Sequence, residues 1–233
     1  MDLQRQYEDD FALTQQFALV TFMNKVYAWL TVGLVVTAVT AFTINGILQE
    51  PAPFAVVMIS LLACVGLVVF LSATAQRLPA VVVIGGYLLF ALLEGVFFSL
   101  IFVRFPMATI SMTFFITAGM FGFMALYGTI TKKDLSGVGA LCFMGLIGVL
   151  LAILAQVVVG TLFGIPTGQF NLVISIVGVV VFIGLTAYDA QKIKQMSVAG
   201  ETSTGLAIAG ALALYLDFIN LFLFLLRIFG SRD

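Results

Sequence analysis

The chain contains no histidine. That removes the one side chain whose ordinary titration falls between about pH 5 and 8. It also removes the commonest metal ligand and any Ser/His/Asp arrangement for hydrolysis. Charge is almost as scarce: 9% of the 233 residues are Asp, Glu, Lys or Arg, where a soluble domain carries about 25%. With 62% of the residues hydrophobic, polar groups are too few to cover a globule, so the chain is an integral membrane protein. A net charge of −1 excludes a nucleic-acid partner and leaves the lipid bilayer as the first partner. The two cysteines, Cys64 and Cys142, stand in apolar runs without metal-ligand spacing and read as packing residues. There is no glycine-rich phosphate loop, and no cofactor is expected.

What is present is length of apolar run. A bilayer core needs roughly 20 mostly apolar residues per helix, and seven segments meet that: about 26–48, 54–74, 80–103, 107–130, 138–162, 171–190 and 205–229. Proline-bearing turns separate several of them, at Gln49-Glu50-Pro51-Ala52-Pro53, at Gln76-Arg77-Leu78-Pro79 and around Gly164, Pro166 and Gly168. The runs are continuous, unlike the alternating ~10-residue strands of a barrel, so the fold class is all-α. Residues 1–24 are polar and acidic and lack the basic start and short apolar core of a cleavable signal. They are expected to form a cytoplasmic tail ahead of a single seven-helix domain, 25–233, whose first span acts as an uncleaved anchor.

Orientation follows from Lys and Arg in short loops. With the N-terminus inside, Arg5, Lys25, Arg77, Lys132, Lys133, Lys192 and Lys194 lie inside, and Arg104, Arg227 and Arg232 outside. This distribution sets the N-terminus in and the C-terminus out. A re-entrant last segment would return Arg227 and Arg232 to the inside. The pairs Gly119/Gly122 and Gly145/Gly148 are expected to let helices approach closely.

Three carboxylates fall inside the spans, and an ionisable residue in hydrocarbon is by default a functional candidate. Asp217 is mid-span in the seventh segment, on a stripe with Gly210, Leu214, Asn220 and Leu221. That stripe is expected to face a cavity or a neighbouring helix. Asp189 lies near the inner end of the sixth, with Thr186 before it and Lys192 after it. Alone it reads equally well as a helix-end charge paired with Lys192. If the sixth helix extends a turn or two further, Asp189 and Asp217 can meet. Two carboxylates in contact cannot both ionise cheaply, so they share a proton and titrate as a unit. They would equally lend oxygen ligands to calcium. Glu94 is mid-span in the third segment and lines a cation path or sits hydrogen-bonded in the core. Arg77, at the inner end of the second, is a topology determinant or a latch onto an aspartate. Tyr215, Asn220 and Thr186 are supporting candidates or ordinary helix-packing groups.

The stretches Lys132-Lys133-Asp134-Leu135-Ser136-Gly137, Gly184-Leu185-Thr186-Ala187-Tyr188-Asp189-Ala190-Gln191-Lys192-Ile193-Lys194 and Leu212-Ala213-Leu214-Tyr215-Leu216-Asp217-Phe218-Ile219-Asn220-Leu221-Phe222 resemble the Bax inhibitor-1 family, in its bacterial inner-membrane branch. The resemblance implies six helices around a central seventh. It also implies a pH-sensitive calcium leak with a di-aspartyl sensor, carried onto Asp189 and Asp217, and an arginine latch, carried onto Arg77. Some relatives carry an acid in the middle of span two, where this chain reads Ala63-Cys64-Val65-Gly66-Leu67; Glu94 is the substitute candidate. Other relatives are implicated in modulating a membrane-bound ATP-dependent protease. That reading makes residues 1–24 a handle for the partner. An intramembrane aspartyl hydrolase is disfavoured, because Asp217 follows Leu-Tyr-Leu rather than Gly-x-Gly, and no enzymatic activity is expected.

Overall fold

The computed structural model describes residues 2–48, 53–164, 168–198 and 203–230. Among them are seven helices and no strand: α1 (Asp2–Leu48), α2 (Phe54–Thr74), α3 (Ala80–Arg104), α4 (Met107–Ile130), α5 (Ser136–Phe163), α6 (Gly168–Val198) and α7 (Thr204–Phe229). All seven are long and apolar enough to cross a membrane. Lipid supplies no partner for a backbone N–H or C=O, so each span must satisfy its own, and a helix does. Hydroxyls follow the same rule. Thr113, Thr117, Thr161, Ser175 and Thr186 each donate to the carbonyl four residues back, at 2.7–2.8 Å. Pro53 and Pro106 precede the first turns of α2 and α4, where a missing N–H is harmless. Gly164 ends α5 in the left-handed region at φ 62°, the usual glycine stop. The turn residues 49–52 and 165–167 lie outside the described residues, as does Arg232.

Two elements differ from the sequence reading. α1 begins at Asp2, so the polar N-terminal segment is helical and continuous with the first span. Its apolar stretch, Gln16–Ile47, is 32 residues, roughly 48 Å at 1.5 Å per residue and longer than a ~30 Å bilayer core. A crossing measured back from Ile47 starts near the exposed Lys25. α6 continues to Val198, eight residues past the expected end. A helix is not halted by Lys192 and Lys194, which are good helix formers with no proline nearby.

Contacts divide the chain into two compact units. The first holds α1–α3 with Lys192–Tyr215. Its interior is tied by hydroxyls: Tyr87 donates to the Trp29 carbonyl (2.9 Å) and Thr37 to the Ala91 carbonyl (2.9 Å). Thr37 Oγ1 lies 2.7 Å from the Tyr215 hydroxyl. Its single proton is committed to Ala91, so Tyr215 is the donor in that pair. The ring of Phe90 meets Tyr215 edge-on at 5.1 Å.

The second unit holds Arg104–Gln191 with α7 from Leu216 onward. Here α5 and α6 form a tight antiparallel seam. A Cβ on Gly145 would stand 2.8 Å from Val181, and one on Gly139 would stand 2.5 Å from the Tyr188 ring. Between them, Gly184 lies against Cys142. Phe218 of α7 packs edge-on against Phe114 (5.6 Å) and Phe121 (5.4 Å) of α4. Across its apolar window α7 is 72% buried, whereas the other spans reach 39% at most.

Candidate functional site

Asp217 occupies the middle of α7, 13 residues from Thr204 and 12 from Phe229. At 1.5 Å per residue that is roughly 18–20 Å from either end, beyond the reach of its short side chain. It is 4% exposed, and its Oδ2 has no hydrogen-bond partner. A buried polar atom without a partner is uncommon in a folded protein. The charged group bearing on Asp217 is Asp189 of α6. Asp189 is half-buried and lies inside the span Phe170–Ser197, not at its rim. The two aspartates that the sequence singled out are thus electrostatic neighbours on α6 and α7. Cys142 of α5 also lies within electrostatic reach of Asp217.

The supporting candidates are engaged elsewhere. Asn220 donates to the Leu216 carbonyl of its own helix (2.7 Å), and Thr186 to Phe182 (2.7 Å). Tyr215 bonds Thr37 in the first unit. Gly210, Leu214, Asp217 and Leu221 are all buried, as a stripe turned inward requires, with Asn220 half-buried.

Glu94 belongs to the first unit, where it is 9% exposed in mid-α3. Its carboxyl is hydrogen-bonded with the Cys64 thiol of α2. Cys64 also points its sulfur at the Phe90 carbonyl, 3.8 Å away. The α3 carboxyl therefore arrives beside the α2 position that lacks an acid of its own. Nothing in the apolar run around Cys64 signals this neighbour, and the same holds for Cys142. In both cases a thiol read as packing lies within electrostatic reach of an intramembrane carboxyl. Arg77 is exposed in the α2–α3 turn of the first unit, with its N–H donating to the Thr74 carbonyl (2.8 Å).

Among the described residues no three His, Cys, Asp or Glu side chains gather as a metal-ligand set. Calcium takes about 6–8 oxygen ligands, and two aspartates supply at most four.

On the outer flank of Asp189, Gln191 ties α6 to the α4–α5 loop. Its Oε1 accepts from the Leu135 N–H (2.8 Å) and its Nε2 donates to the Lys133 carbonyl (2.7 Å). Just beside this, Gly128 of α4 lies against the Ala187 carbonyl. The motifs around Lys133 and Asp189, far apart in sequence, are therefore two halves of one contact.

The chain is 44% identical to the inner membrane protein YbhL of Escherichia coli (strain K12) over 232 residues, covering 96% of this chain and 97% of that protein. It is 38% identical to an uncharacterised protein of Deinococcus radiodurans, over 95% of this chain and 96% of the other. It is also 38% identical to an uncharacterised protein of Borreliella burgdorferi, over 91% and 92%. A multi-pass membrane protein is the common ground of the fold and of the inner-membrane relative. The family described as "Inhibitor of apoptosis-promoting Bax1" matches residues 19–233, every crossing and all three intramembrane acids included, and the chain belongs to that family.

Proposed function

We propose that the protein is a pH-sensitive cation leak of the bacterial inner membrane, with calcium as the permeant ion and Asp189 and Asp217 as the sensor. The observation that carries this reading is Asp217 itself: buried in mid-α7, with an unpartnered Oδ2 and Asp189 as its charged neighbour. A carboxylate pair in a low-dielectric site holds one proton between its members and changes charge as a unit. Its charge sets whether a cation is welcomed, without any histidine. Glu94, hydrogen-bonded with Cys64, is a second carboxyl for the path. Arg77 is the latch candidate, at the end of α2.

Calcium flux into dye-loaded proteoliposomes across about pH 5 to 8 tests this. Native flux is expected to vary several-fold with pH. Asp217→Asn, which cannot change charge, is expected to remain folded and give a flat profile. No flux above empty liposomes from folded protein rejects the leak.

A second reading, modulation of a membrane-bound ATP-dependent protease, draws on α1. Asp2–Gln15 prolong that helix beyond its apolar stretch and offer a rigid polar handle for a partner. Deleting that stretch would then abolish the regulatory effect and leave flux intact.

A further inference from the structure

We propose that Gln191 is the positioning residue of the aspartate pair, holding α6 in the register at which Asp189 meets Asp217. The proposal rests on the pair reading above and adds the part that keeps the pair assembled. The α5–α6 seam runs through Val181, Gly184, Tyr188 and Gln191 on α6, opposite Gly145, Cys142, Gly139 and Leu135. The α6 positions are three or four residues apart, one stripe of a helix. Three of these contacts are steric and non-directional. A stripe of small residues against side chains resists compression but has little to stop a helix sliding along it.

The fourth contact is directional. Gln191 is 6% exposed and uses both ends of its amide on successive parts of one loop, the Leu135 N–H and the Lys133 carbonyl. Buried amide bonds of this kind are expensive to leave unmade. Sliding α6 by one residue, about 1.5 Å, would break both. Asp189 is two residues away on the same rigid helix and moves with Gln191. The loop end is itself fixed: Leu135 is 6% exposed, and Asp134 accepts from the N–H and the hydroxyl of Ser136 at the start of α5. Cys142 on α5 lies within electrostatic reach of Asp217; along α6, Tyr188 adjoins Asp189 in the chain and Lys194 is half-buried, while Lys132, Lys133 and Lys192 are exposed.

The test is an infrared titration of the protonated-carboxyl band in the full chain in nanodiscs, which does not depend on transport. Gln191→Met keeps the side-chain length and removes both bonds. It is expected to shift the titration midpoint by about half a pH unit or more in an otherwise native chain. In an Asp189→Asn background it is expected to shift nothing, because the neighbour it positions has lost its charge. Gln191→Asn keeps a neutral amide too short to reach both partners and is expected to fold even if the Met variant does not. Its shift, too, is expected to vanish in the Asp189→Asn background. An unchanged midpoint in the folded variants, or an equal shift with and without Asp189, overturns the proposal. A coupled shift in a protein that conducts nothing upholds the positioning role and rejects only the leak.

Discussion

What a carboxylate does in this chain depends on whether donors reach its oxygens. Asp217 Oδ2 has none. Asp134, in the α4–α5 loop outside the spans, has two from Ser136, at 2.9 Å from the N–H and 2.6 Å from the hydroxyl. The Ser136 hydroxyl first, and its N–H second, hold the Asp134 carboxyl below its ordinary value of 3.8. A folded value below the unfolded one means a stabilising contribution that is present above pH 3.8 and lost as pH falls through the folded value. Asp134 is therefore ionised throughout about pH 5 to 8 and cannot sense that range. Asp134→Ala is expected to leave the flux profile over that range unchanged. It should lower the thermal midpoint at pH 6, with the gap to the native chain closing on acidification below pH 3.8. Thermal unfolding in detergent at the two pH values checks this. A gap that persists in acid would mean that the side chain acts through packing instead.

At the scale of helices, the close approaches are made by glycines other than most of those the spacing suggested. Of Gly119, Gly122, Gly145 and Gly148, a Cβ would meet a neighbour within 4 Å only at Gly145. Gly128 has no glycine at the three-residue spacing sought, yet it touches the Ala187 backbone. Backbone cannot yield as a flexible side chain does. Gly128→Ala is expected to destabilise the protein by about 1–3 kcal/mol. Gly122→Ala, where the space is open, is expected to change stability by less than about 1 kcal/mol, in the stabilising direction. Denaturant unfolding of the two variants side by side decides it, and equal effects would contradict the seam. The physical reason for the misreading is that a three-residue spacing names a face of a helix but not which neighbour covers it. The same limit hid the thiols. Cys64 and Glu94 lie on different helices, and no local pattern links them. Asp189 and Asp217 were legible because charge in an apolar run is conspicuous without any knowledge of neighbours. The ends of α2, α3, α4 and α7 were legible for a similar reason, since prolines, charges and small-residue turns bound those runs. Where the boundary signal was only polarity, at the start of α1 and the end of α6, the helix runs on.

For the whole molecule, seven complete crossings, an odd number, would put the two termini on opposite sides. This depends on α7 crossing completely. α7 has 26 residues, roughly 39 Å of helix against a ~30 Å core, and no proline interrupts it. Arg227 needs no return to the inner side. It is exposed in the last turn, with its guanidinium 5.6 Å from the centre of the Phe224 ring, a position from which it can reach headgroups. Lys132 and Lys133 are exposed in the α4–α5 loop, and Arg77 is exposed in the α2–α3 turn. Both connections follow an even-numbered helix, so with seven complete crossings both are expected on the side of the N-terminus, which the positive-inside rule would make cytoplasmic. Fusing a reporter that fluoresces only in the cytoplasm to the N-terminus is therefore expected to give signal, and the same fusion at the C-terminus none. A phosphatase active only outside the inner membrane should give the opposite pair. Fluorescence from both ends would mean that α7 turns back before crossing. Asp217 would then sit near the far end of a re-entrant segment rather than midway through a span, and the case for a gate at that residue would fail with the topology.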